Sequence, residues 1–404
     1  MAGPLSGFRV LDLSRILAGP WASQMLADLG AEVIKIERPN VGDDTRAWGP
    51  PYMPDEAGEA TSESAYFHAA NRGKQSVCID MSKPAGQDLI RELVKHCDVL
   101  IENFKVGGLK KYGLDYDSLK GLNPKLVYCS ITGFGQTGPY ADRAGYDFMI
   151  QAMGGMMSVT GEADGEPMKI GVALADVLTG LYAANAIQSA LIHQLRTGEG
   201  QYIDMALLDV QVATLANQAM NYLATGNNPK RLGNAHPNIV PYQAFATADG
   251  FLILAIGNDT QFQRFCELAE RAELAEDERF IKNSSRVKHR EALVPEVKQI
   301  MLTKTTHDWL DQLNQRGIPC GPINNIDQVF ADPQVQHRGM QQSLSHPAAG
   351  TVASVGNPIK LSKTPVEYEL APPVLGQHTD EVLVSILKFD PKKLANLRES
   401  GVIG

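Results

Sequence analysis

The run Gly171-Val172-Ala173-Leu174-Ala175-Asp176-Val177-Leu178-Thr179-Gly180 sets one carboxylate among small and apolar residues, where an apolar helical pattern begins. Two chemistries fit that setting. Asp176 can cap a helix by accepting backbone N–H groups, or it can stand in a partly desolvated pocket as a nucleophile toward an activated acyl group. The local pattern leaves both open. A second feature, Gly133-Phe134-Gly135-Gln136-Thr137-Gly138, has the GxGxxG spacing of a pyrophosphate-binding turn. Pro139-Tyr140 follows at once, so no helix begins there to lend its N-terminal dipole. A plain glycine-rich loop is favoured over a nicotinamide or flavin site. The nine histidines make no HxxxH or HxH pair and no GxSxG elbow occurs. Zinc and serine hydrolase chemistry therefore have no footing, and no metal is expected.

These residues need a scaffold. Phe8 to Leu13 is a short β-rich run, Trp21 to Leu29 is helical, Gly30 stops that helix and Ala31 to Glu37 returns to strand. This is a βαβ unit with a right-handed crossover. Ser76 to Asp80, Gly86 to Lys95, Asp98 to Glu102, a helix around Leu109 and Leu119, and Leu126 to Ile131 continue the alternation. The pattern predicts an α/β fold with a large, Rossmann-like doubly wound domain. Helices over Asp176 to Leu195 and Leu207 to Leu223 follow, with a strand at Gln201 to Met205 between them. The Pro/Gly/Asn-rich stretch Asn227 to Asn238 reads as a linker. Beyond it, a hairpin (Tyr242 to Phe245, Phe251 to Ile256) and three helical segments predict a smaller α+β domain. The expected division is 1–225 for the first part of the large domain, 226–328 for the small domain, and 329–404 for a proline-rich return segment that completes the large domain and closes with the helix Thr379 to Leu387.

Composition bounds the function. With 404 residues, a net charge of -9 and 44% hydrophobic residues, the chain reads as ordinary globular protein. The acidic balance argues against a nucleic-acid partner. The five cysteines lie at least 19 positions apart, which excludes a CxxC clip and favours a reducing compartment. Neither a secretory signal nor an apolar run of spanning length is visible, so a cytoplasmic protein with no membrane partner is expected.

Several stretches together resemble the family III CoA-transferases, also called the CaiB/BaiF family. They are Asp12-Leu13-Ser14-Arg15-Ile16-Leu17-Ala18-Gly19-Pro20, Gly30 to Pro39, Gly42-Asp43-Asp44-Thr45-Arg46, Asn71-Arg72-Gly73-Lys74, Glu102-Asn103-Phe104, the Asp176 segment, Gly317 to Pro322 and Leu375 to Asp380. The likeness runs in order over essentially the whole chain. Trp48-Gly49-Pro50-Pro51, Tyr128 to Gly133, Ala144 to Asp147, Ile239 to Phe245 and Gly321 to Asn325 are most similar to the group that acts on succinate with glutarate or hydroxymethylglutarate.

The resemblance implies a transferase that moves CoA from a donor such as succinyl-CoA to a short carboxylic acid, in the first instance a dicarboxylate. It implies Asp176 as nucleophile, passing through an aspartyl anhydride and an aspartyl thioester. Arg15, Ala18, Arg38, Arg72, Lys74, Asn103, Phe104, Lys111 and Arg143 match positions that contact coenzyme A. Tyr146 falls beside the substrate. A remote carboxylate wants a bidentate partner, for which Arg46 and Arg15 are candidates with His236 as a third. Gly257-Asn258-Asp259 is a candidate lid. The family's interlocked homodimer is implied as well.

Other readings remain. Acyl-CoA racemases of the same family place a histidine where this chain has Tyr146, and a phenol of pKa near ~10 shuttles protons poorly at neutral pH. Formyl-CoA:oxalate transferases carry a glycine run that this chain lacks. A carnitine-type acceptor and a non-catalytic CoA-binding or nicotinamide-binding protein complete the alternatives.

Overall fold

Val10-Leu11, Val33-Ile34, Val99-Leu100-Ile101 and Val127-Tyr128-Cys129 are continuous apolar runs, and every one of these residues is buried. That is the pattern of strands covered on both faces. In the computed structural model, which describes residues 3–404, they lie in one parallel six-stranded sheet. Its spatial order is Lys74–Cys78, Glu32–Glu37, Arg9–Asp12, Val99–Glu102, Val127–Thr132, Tyr202–Ala206. Counted along the chain this is 3-2-1-4-5-6, the doubly wound order.

Alternation along each strand feeds two cores. Leu11, Ile34 and Leu100 face the helices Pro84–Val94, Thr379–Leu387 and Pro391–Glu399 through Leu89, Leu93, Leu383 and Leu394. Val10, Val33 and Val99 face the helices Ala18–Asp28 and Leu174–Thr197 through Ala22, Leu26, Ala183 and Ile187. These last two helices cross closely at Gly180, where a Cβ would stand 2.8 Å from the Ala18 carbonyl oxygen and 2.9 Å from Trp21 Cβ. Gly180→Val is expected to push them apart and cost about 1–3 kcal/mol, read as a lower denaturation midpoint. An unchanged midpoint would show that the close crossing is dispensable.

The chain forms two compact units. One takes in residues up to Met156 together with Ile170–Ala219 and Pro333–Gly404, the other Met157–Lys169 and Met220–Asp332. The boundaries therefore fall at 219/220 and 332/333 rather than at 225 and 328, and residues 157–169 group with the second unit. The Asn227 to Asn238 stretch lies inside that unit. It holds the antiparallel order Cys320–Pro322, Phe251–Ala255, Tyr242–Ala246 over a core of Phe245, Leu252, Phe262, Phe265 and Trp309. Between Asp259 and Gln315 five helices form where three segments were expected.

Two further expectations are corrected. The helix expected over Leu207 to Leu223 is two, Leu207–Ala213 and Ala216–Thr225, broken where Ala216 takes a φ of 46°. Around Leu109 and Leu119 there is only a 3-10 turn, Lys110–Tyr112, and one helical turn, Tyr116–Leu119. No helix among the described residues is long and apolar enough to cross a membrane.

Candidate active site

In an open parallel sheet, ligands bind beyond the carboxyl ends of the strands where the strand order reverses. Here that point lies between Arg9–Asp12 and Val99–Glu102. A cavity of about 480 Å³ opens there. The turn after the first strand contributes Arg15 to Ala18, the loop after the fourth contributes Asn103 to Val106, and Tyr146 and Asp176 complete the wall. Gly133 and Gly145 pack backbone to backbone, since a Cβ on either would lie within 2.4 Å of the other's Cα. That contact, and no pyrophosphate turn, is what the first glycine of the GxGxxG motif serves. It brings the Tyr146 loop onto the strand end.

Asp176 sits in the first turn of Leu174–Thr197, whose N-cap residue, Ala173, makes no side-chain cap. Asp147 supplies the cap instead, its Oδ1 accepting from Ala175 N at 2.8 Å and Asp176 N at 3.3 Å. The Asp176 carboxylate is therefore not consumed by capping. Loss of water pushes its pKa up to about 7, and the Asp147 charge adds to the shift. Tyr66, which the sequence reading missed, lies in the same field. Its phenol is raised first by burial and then by the Asp176 and Asp147 carboxylates.

The cavity brings together most of the expected residues. Arg15, Ala18, Asn103, Phe104, Lys111, Arg143 and Tyr146 all line it with Asp176. Arg15 stands over the Phe104 ring and pairs with Asp44 at 2.6 Å, while Arg143 lies over Tyr140. The amide of Asn103 is committed to the Arg15 backbone, accepting from its N at 2.9 Å and donating to its O at 2.7 Å. Glu102 fixes the start of the same loop by accepting from Phe104 N at 2.7 Å and from the Ser130 hydroxyl, although burial pushes its own pKa up to about 7. An adjoining hollow of about 470 Å³ shares Arg15, Phe104 and Tyr112 and is bordered by the exposed Arg38. A third hollow, at the amino end of Glu32–Glu37, has Asp28, Glu32 and Glu369 in its wall, unfavourable ground for phosphates.

Three expectations are corrected. Arg46 lies on the Phe67 ring and makes two 2.8 Å bonds to Glu37 and a third to Pro373 O. Its guanidinium is taken. Arg72 is buried, paired with Asp28 at 2.5 Å and bonded to Val355 O. Lys74 is fully buried between Asp12, Pro20 O and Asn71. All three stabilise the large unit and none lines the cavity. His236 lies in the second unit against Tyr242, and in Gly257-Asn258-Asp259 the Asn258 side chain caps a helix while Asp259 pairs with Arg286.

Among the described residues there is one group of metal-ligand type, Glu63, His68 and His346, all buried. His346 Nδ1 accepts from Ala348 N and Ala349 N, which leaves the ring proton on Nε2, the atom that faces Glu63 at 3.9 Å. A protonated nitrogen is no ligand. Arg46 Nη1, 3.8 Å from the Glu63 carboxylate, adds a cation that would repel another. The group is better described as the outer end of the Arg46–Glu37 charge network.

A doubly wound sheet with a desolvated aspartate and a ring of cations at its switch point defines a class. The model of CoA-transferase family III matches residues 5–379, and the chain belongs to that family. It is an enzyme of the transferase type. Among curated proteins it is 57% identical to the succinate–glutarate CoA-transferase of Agrobacterium fabrum, over 95% of this chain and 96% of that one. It is 43% identical to the human succinyl-CoA:glutarate CoA-transferase, over 99% of this chain and 90% of that one. A solved CaiB/BaiF family protein from Brucella suis superposes with a TM-score of 0.84 at 53% identity, covering 96% of this chain and all of that one.

Proposed function

We propose that this enzyme moves CoA from succinyl-CoA to glutarate or a similar dicarboxylate, with Asp176 as nucleophile. The observation that carries the reading is a carboxylate lifted from water at a switch-point cavity, its helix capped by another residue. The names of the relatives above support the choice of acids. Ionised Asp176 adds to the thioester carbonyl of the donor, and the C–S bond breaks to give an aspartyl anhydride and CoA thiolate. The thiolate then attacks the aspartyl carbonyl, releasing succinate and leaving CoA on Asp176 as a thioester. Glutarate attacks that thioester to form a second anhydride and free the thiolate again. The thiolate opens the anhydride at the glutaryl carbonyl, giving glutaryl-CoA and restoring the carboxylate. Each intermediate remains activated, so the thioester energy is conserved.

The two adjoining hollows suit a long ligand, the acyl thioester beside Asp176 and the anionic part along Lys111, Arg143 and Arg38. With Arg46 committed elsewhere, Arg15 remains as the arginine for the remote carboxylate. A homodimer belongs to the same proposal, because Leu181, Tyr182, Ile192 and Leu195 leave an exposed apolar stripe on Leu174–Thr197 that a second copy would cover. A cytoplasmic location accords with five free cysteines. Purified enzyme given succinyl-CoA and a panel of glutarate, hydroxymethylglutarate, oxalate and carnitine should form glutaryl-CoA fastest. Release of CoA only to oxalate or carnitine would overturn the choice of acid.

The nucleophile must be ionised, so activity is expected to fall as pH drops through about 7. The acid limb of kcat/KM should move to lower pH in Asp147→Asn, which removes the neighbouring charge. A wild-type profile flat to pH 5 would contradict this.

A further inference from the structure

The turn that carries Arg15 to Ala18 into the cavity has an unusual backbone. Ile16 has a φ of 73°, a left-handed conformation that β-branched residues rarely adopt. Something must hold it there. Every polar backbone group from Ser14 N to Ile16 N is bound by a side chain. Asp12 accepts from Ser14 N at 2.9 Å, Lys35 Nζ donates to Ser14 O at 2.9 Å, and Asn103 takes both groups of Arg15. Asp43 accepts from Ile16 N at 3.2 and 3.3 Å. Lys35 and Asp43 are themselves an ion pair of 2.8 Å whose side chains are wholly buried. The pair thus straddles the turn, the cation on the carbonyl before Arg15 and the anion on the N–H after it.

We propose that the Lys35–Asp43 ion pair is a positioning device for acyl-CoA, holding the Ser14–Ile16 turn in the left-handed shape that makes one wall of the Asp176 cavity. This rests on the reading of that cavity as the acyl-CoA site. All partners of the Asp43 carboxylate are donors: Ile16 N, Thr45 N, Thr45 Oγ1 and Lys35 Nζ. An amide in its place would set an NH₂ against them. Lys35 would still have the charges of Asp12 and Glu37 nearby, so the fold is expected to survive.

In Asp43→Asn the KM for acyl-CoA and the Kd for free CoA by calorimetry should rise about tenfold, while kcat changes by less than about threefold. Adding Ile16→Asn should bring both back to within about threefold of wild type, since asparagine accepts left-handed φ readily. A role in folding alone would lower the melting temperature with KM and Kd unchanged, and that result overturns the proposal. So does a raised Kd that the second substitution fails to restore. Calorimetry with CoA needs no turnover, so a wrong acceptor acid would leave this test intact. If Asp43→Asn cannot be obtained folded, hydrogen exchange on the wild type decides. The Ile16 amide should be protected about 100-fold or more over a free peptide, and exchange at the unprotected rate overturns the clamp.

Discussion

Asp176→Asn is expected to lower kcat/KM for CoA transfer by about 10³-fold or more while the protein stays folded. Asparagine keeps the size of the side chain and the helix keeps its cap, because Asp147 and not Asp176 supplies it. What is lost is the oxygen nucleophile. The stability effect should have the opposite sign. A carboxyl raised to about 7 binds its proton more tightly in the folded state than in the unfolded one. Its contribution to stability is complete below the unfolded pKa near 3.8 and is lost as pH rises through about 7. At pH 8 the asparagine variant escapes that cost and should be more stable by on the order of 1–3 kcal/mol, with the advantage vanishing near pH 4. Denaturant titrations at the two pH values read this directly. A variant that is inactive and also less stable at pH 8 would place Asp176 in the fold rather than in the chemistry.

Arg46→Ala should have the largest effect on stability, about 3–5 kcal/mol. Removing the guanidinium leaves Glu37 without its bidentate partner and Glu63 without its nearest arginine, both buried. It also strips the cation from the Phe67 ring, 3.7 Å away. Thermal unfolding should shift well below wild type, while the KM for glutarate in the folded fraction stays the same. A raised KM with an unchanged melting temperature would return Arg46 to the substrate role that its motif first suggested.

The contrast between these two residues shows what the sequence could carry. The doubly wound architecture, though not its strand order, was legible because its strands are continuous apolar runs alternating with amphipathic helices and glycine stops. Asp176 was legible as a lone carboxylate in an apolar setting. What failed depends on partners distant in the chain. Arg72 and Lys74 look like CoA ligands, and Arg46 like a carboxylate ligand, until Asp28, Asp12 and Glu37 come beside them in the fold. That Asp176 is free of the capping role turned on Asp147, 28 positions earlier than the amide it accepts from. The break at Ala216 has neither glycine nor proline to announce it. The last helix, Pro391–Glu399, lies beyond the expected closing helix and carries its own sequence signal, an Asp390 cap followed by proline at its first position.

The most direct test is mass spectrometry of the enzyme mixed with succinyl-CoA and quenched in hydroxylamine. A thioester or anhydride on Asp176 should be converted to a hydroxamate on the peptide that contains it, and the label should be absent from Asp176→Asn. Sustained turnover with no modification at Asp176, or with the label on another residue, would contradict the assignment.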